Sequence, residues 1–140
     1  MARRLIGIGN PDRGDDAAGW EVATKVAAWS VERRVTGSFD MLELWDADDD
    51  VVIVDAMRSG APPGTVHRFD AMADRLPVGA FSSTHAFGPA AVIELARTMG
   101  RLPRSLVVYG IEAGQIEHGT AMSPAVATAV VELVKELEDA

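Results

Sequence analysis

Two adjacent carboxylates, Asp15 and Asp16, follow a glycine-rich turn in the stretch GIGNPDRGDDAAG, residues 7–19. A third acid, Asp55, closes the run VVIVD, residues 51–55. An imidazole, His85, stands in SSTHAFG, residues 82–88. Each has an ordinary explanation taken singly. An Asp at a helix start caps free backbone N–H groups, an Asp at a strand end caps a turn, and a lone His before a helix is usually structural. Taken together, two acids and an imidazole make an oxygen and nitrogen ligand set with open positions. Imidazole suits nickel or zinc and carboxylates suit harder ions, so the set does not fix the metal.

Other chemistries fit less well. Glycines leaving a strand could cradle a phosphate, but adjacent acids repel one. The stretch from Gly7 also breaks the dinucleotide fingerprint, because Asp12 stands where its third glycine belongs. Ser82, Ser83 and Thr84 adjoin His85 in sequence, but a catalytic triad is built in space rather than along the chain. His67 is expected to face solvent from a half-exposed strand, and His118 has no evident partner. The acids Asp48 to Asp50 are expected to form a solvated loop.

For the main group to meet, the chain must bring distant segments to one edge. Leu5 to Ile8 reads as a short buried strand. Asp15 or Asp16 opens a helix expected to run to about Trp29. A weak strand covers Val31 to Val35, and Ser38 to Leu44 forms a short helix. VVIVD has the β-branched run of a central strand covered on both faces. TVHRF, residues 65–69, reads as a half-exposed strand after the turn signal Pro62-Pro63-Gly64. Pro89 and Gly100 bracket a helix, LVVYG, residues 106–110, is another buried strand, and Ser123-Pro124 opens an amphipathic helix. Strands thus alternate with helices. That order predicts an α/β fold, a three-layer α/β/α sandwich around a twisted, mostly parallel sheet. Open parallel sheets bind ligands at the carboxyl ends of their strands, where Asp15, Asp16, Asp55 and His85 should lie.

Composition narrows the field. The 140 residues fit one domain spanning 1–140, with 48% hydrophobic and 24% charged residues. Acids outnumber Lys and Arg by 21 to 13, a formal charge of -8. That disfavours nucleic acid and anionic membrane surfaces, which both call for basic residues. There are no cysteines, so disulfides, thiolate metal sites and a thiol nucleophile are excluded. No signal peptide or membrane span is read, and a cytoplasmic protein is expected.

These residues resemble the maturation endopeptidases of nickel-iron hydrogenases. That family typically opens with a strand and GxGNxxxxDDGxG. Gly7, Gly9, Asn10, Asp15, Asp16 and Gly19 stand at those places. VVIVDAM is similar to its hydrophobic strand ending in Asp-Ala, and SSTHAFG to its histidine loop. YGIEAGQIEHGTAMSPAV is similar to its closing strand, turn and Ser-Pro helix start. The likeness spans nearly the whole chain in order. It implies an enzyme that removes a C-terminal extension from a nickel-iron hydrogenase large-subunit precursor after nickel insertion. It also implies that Asp16, Asp55 and His85 are the catalytic positions and approach the substrate's nickel. Gly9 and Asn10 then shape the turn, and Asp15 caps or supports. No tightly bound cofactor is expected in the resting protein, which is expected to be monomeric.

Three departures from the family pattern stand out. Ala17 replaces a Gly, Ala113 replaces a Pro, and the acid usual after the second strand is missing from RRVTGSF, residues 33–39. With no Cys and no Ser beside an evident base, water is the expected nucleophile, activated by a carboxylate or a metal. Two alternatives stay open. One is a non-catalytic metal-sensing or adaptor domain of the same fold. The other is a peptidyl-tRNA-hydrolase-like enzyme, suggested by GIGNP but opposed by the acidic charge and the lack of a nearby His.

Overall fold

The computed structural model describes residues 2–77, 79–81 and 88–140. Within these residues five strands form one sheet: β1 (Arg3–Ile8), β2 (Ser30–Arg34), β3 (Asp50–Met57), β4 (Val66–Asp70) and β5 (Ser105–Glu112). Their order is β2-β1-β3-β5-β4. All neighbours run parallel except β4, which is antiparallel to β5. Among the described residues three α-helices cover the sheet: α1 (Ala18–Lys25), α2 (Pro89–Thr98) and α3 (Pro124–Glu138).

Two apolar layers result. On one face Ile6, Ile8, Ile53 and Val108 pack against Val92, Ile93 and Ala96 of α2 and against Met41 and Leu42 of the 3₁₀ helix Phe39–Leu44. On the other, Leu5, Val52, Val54 and Ile111 pack against Val22 of α1 and Val126, Val130 and Leu133 of α3. β3 feeds both layers, so its sequence is apolar without alternation. This is the expected three-layer α/β/α arrangement. Chain order reverses between β1 and β3, since β1 leads outward to β2 and the chain then returns to β3. Such a switch point leaves a crevice at the carboxyl ends of the two strands.

Local structure differs from expectation in two places. The segment expected as one helix to about Trp29 is a 3₁₀ turn, Gly14–Ala17, followed by α1, which ends at Lys25. The end of α3 takes over the groups that would have continued it. Glu138 accepts the N–H groups of Ala27 and Ala28, the latter at 3.0 Å, and Trp29 Nε1 donates to the Leu137 carbonyl at 3.0 Å. Of the acids Asp48 to Asp50 only Asp48 lies in a solvated loop. Asp49 is buried and accepts from Arg4 Nε at 2.8 Å and from the N–H groups of Asp46 and Ala2 at 2.8 and 3.0 Å. Asp50 opens β3, bonded to Arg104 and to Ser105 Oγ. These carboxylates pin the amino end of the sheet, opposite the switch point.

Candidate functional site

The loop after β1 is shaped by what its glycines leave out. A Cβ on Gly9 would lie 2.1 Å from the carbonyl oxygen of Asp16. One on Gly19 would lie 2.3 Å from the carbonyls of both Ile8 and Val54. The glycines therefore let the acid-bearing turn sit directly on the ends of β1 and β3. Asn10 Oδ1 accepts the N–H of Asp12 at 2.9 Å, holding the turn locally. Gly9→Ala should force these backbones apart. The expected cost is about 1–3 kcal/mol in urea denaturation.

The two adjacent acids do different things, and neither caps its helix. Asp15 is fully buried. Its carboxylate accepts N–H groups from Gly114 at 2.7 Å, Gln115 at 3.0 Å and Ser123 at 2.6 Å, and the Ser123 hydroxyl at 2.7 Å. Burial alone would raise its pKa, but these donors outweigh it and hold the group below the usual carboxylate value. Ser123 thus gives its hydroxyl to Asp15 and makes no side-chain cap on its own helix. Asp16, the next residue, has its Oδ2 accepting the Asn10 N–H at 3.1 Å and is 7% exposed.

Asp55 lies near the end of β3 and is 2% exposed. Among the described residues its Oδ2 has no hydrogen-bond partner. Burial, and then the charge of Asp16, push its pKa well above the usual carboxylate value, against a small opposing effect from the Ala56 N–H. A buried acid facing a second acid, with one oxygen unmatched, resists ionising unless a cation arrives. Asp16 and Asp55 are therefore brought together at the switch point. His85 lies outside the described residues. Among those described, no third acid or imidazole joins the pair in a metal-sized cluster.

The sequence reading missed Glu112. It is 1% exposed and accepts from both the N–H (2.9 Å) and the hydroxyl of Ser59. His67 is not turned to solvent as expected, because its Nε2 is buried 3.4 Å from Glu112 Oε1. In β4, His67 and Phe69 turn inward while Val66 turns out. The signal was available: Leu106, Val108, Gly110 and Glu112 alternate onto one face, so Glu112 ends a buried strand much as Asp55 does. His118 is exposed. Asp40, near the missing acid, is exposed and paired to Arg34 at 3.2 Å.

A doubly wound α/β sheet with a carboxylate pair at its switch point belongs to the class of open sheets whose ligand sites lie across the strand ends. The chain belongs to the hydrogenase maturation protease family, whose HycI profile matches residues 36–140. Among solved structures it is similar to a [NiFe] hydrogenase maturation protease, HybD, from Thermococcus kodakarensis. There the TM-score is 0.76 at 25% identity, covering 99% of this chain and 98% of that one. It is also similar in fold to the endopeptidase HycI from Escherichia coli, with a TM-score of 0.76 at 23% identity over 99% and 90% of the two chains. The hydrogenase maturating endopeptidase HybD from E. coli gives a TM-score of 0.76 at 20% identity over 98% and 90%. No curated protein matches the chain. The family resemblance and the α/β fold read from the sequence both hold. Among the described residues, no helix is long and apolar enough to cross a membrane.

Proposed function

We propose that this protease is an endopeptidase that removes the C-terminal extension of a nickel-iron hydrogenase large-subunit precursor after nickel insertion. In this reading Asp16, Asp55 and His85 close on the metal carried by the substrate, and the resting protein, a cytoplasmic monomer, holds no cofactor of its own. The observation that carries the reading is the unmatched, buried Oδ2 of Asp55 beside Asp16. A cation entering between them relieves both the burial penalty and the mutual repulsion. The placement of the residues flanking the histidine loop also supports it. Phe81 bridges Met57, just past Asp55, and a Cβ on Gly37 would lie 3.3 Å from Pro89 N, so both ends of the loop anchor at this edge.

The substrate's nickel supplies charge that polarises the scissile carbonyl or a water molecule. The chain's own part is to hold the carboxylates dry and in place. A carboxylate of the pair that is ionised once the cation is in place, and is not itself tied up by it, is suited to take a proton from attacking water. The hydroxyls of Ser59 and Ser123 donate to Glu112 and Asp15 rather than to an imidazole, which speaks against either as nucleophile.

Mixing the protein with nickel-loaded and nickel-free large-subunit precursor, and weighing the products, tests the reading. A shortened product from the loaded precursor alone is expected, lost with His85→Ala or Asp16→Ala in folded protein. Binding without shortening would instead favour a metal-sensing adaptor of the same fold.

A further inference from the structure

The registers of the five strands line up one row across the sheet. Arg34 of β2 sits opposite Ile8 of β1. Gly7 sits opposite Val54, which puts Ile8 level with Asp55. Asp55 sits opposite Gly110, and Gly110 opposite His67. Arg34 is therefore two strands from Asp55 on the same row, about 10 Å away at strand spacing. Both side chains turn to the α2 face. Asp55 alternates with Ile53 and Met57, and Arg34 reaches Asp40 on the 3₁₀ helix that packs there. The Arg34 carbonyl also accepts the N–H of Gly9 at 2.8 Å, fixing β2 to the loop that carries Asp16.

Arginines at this edge differ in how they are used. Arg13 and Arg58 donate to the carbonyls of Ile116 and Gly114 and so hold the loop after β5. Arg34 gives one nitrogen to the exposed Asp40, while its buried Nε has no hydrogen-bond partner among the described residues. The charge set beside Asp55 is that of Asp16. A half-buried guanidinium whose one carboxylate partner is exposed can exchange it for another carboxylate of matching charge and shape. This cation stands in the segment where the resemblance leads one to expect an acid.

We infer that Arg34 is a specificity-determining residue that binds a carboxylate of the substrate chain about three extended residues from the bond that is cut. The inference rests on the endopeptidase reading. In a protein of formal charge -8 it gives an acidic substrate segment one local point of attraction.

The test uses nickel-loaded precursors in which acidic residues within about four positions of the cleaved bond are changed singly to Lys, with a further precursor amidated at its C-terminus. Steady-state cleavage by wild type, Arg34→Lys, Arg34→Gln and Arg34→Glu is compared. One acidic position is expected whose change to Lys raises KM by about tenfold or more for wild type, with kcat little altered. Arg34→Glu should recover that substrate, Arg34→Lys should retain part of the preference, and Arg34→Gln should lose it. An effect confined to the amidated precursor would identify the chain terminus as the carboxylate. Equal KM for every precursor, or an unchanged preference in Arg34→Glu, would overturn the inference while leaving the protease reading intact. Failure of wild type to cut any precursor would overturn both.

Discussion

Asp55→Asn is expected to abolish shortening of the precursor and, at the same time, to make the isolated protein more stable at neutral pH. The activity loss should be at least about a hundredfold, the usual scale for removing a positioned acid or base. The gain in stability follows from the surroundings of the wild-type side chain. Asp55 is buried, faces Asp16, and has an oxygen without a hydrogen-bond partner among the described residues. Its folded pKa is raised, so between the unfolded value of 3.8 and the folded value the native state keeps a proton that the unfolded chain has released. Wild type therefore loses stability as pH rises through that window, and the neutral Asn does not. The variant's advantage should be absent below about pH 3.8 and complete above the folded pKa. A gain on the order of 1–3 kcal/mol at neutral pH is expected because Asn carries no charge to bury beside Asp16. Urea titrations at several pH values, paired with a cleavage assay, measure both effects. A destabilised and inactive variant would mean that Asp55 serves folding rather than a ligand.

The neighbouring acid should behave in the opposite way. Asp15→Ala is expected to destabilise the protein by about 2–4 kcal/mol, because it strands donors from Gly114, Gln115 and Ser123 that have been gathered onto one carboxylate. The folded pKa of Asp15 is depressed. Its stabilisation is thus present above the unfolded value of 3.8 and is lost as pH falls through the folded value. The gap between wild type and Asp15→Ala should narrow in acid, whereas wild type gains on Asp55→Asn there. Asp15→Asn keeps an acceptor oxygen and should fall between the two. Denaturation curves that put Asp15→Ala level with wild type at neutral pH would contradict this account. Because these bonds tie the β5–α3 connection to the turn bearing Asp16, loss of Asp15 should also slow cleavage even where the protein remains folded.

Much of this was legible in the residues. β3 was plain from VVIVD, because an unbroken β-branched run has few other homes. The brackets Pro89 and Gly100 mark α2 well, and Gly100 adopts the left-handed φ of 67° that such an ending favours. The glycines on either side of the acid pair mark the turn, and Gly9 and Gly19 are where backbones approach closely. Long-range partners were not legible. Nothing local says that Glu138 ends α1's segment, that Asp15 reaches across to Ser123, or that Asp49 folds inward onto Arg4. These are tertiary overrides of local propensity. The expectation for His67 fails because reading TVHRF as an alternating strand sends its polar residues to solvent, whereas the buried partner that draws His67 inward, Glu112, is far away in sequence.

The two switch-point carboxylates are proposed to reach a metal that arrives on another protein. Nickel X-ray absorption, recorded on the loaded precursor alone and on the precursor frozen with the protease before cleavage, addresses this directly. The spectrum should gain oxygen or nitrogen scatterers on mixing with wild type, and the gain should be absent on mixing with the folded Asp16→Asn, Asp55→Asn double variant. An identical nickel environment in all three samples, in mixtures where binding is demonstrated, would contradict it.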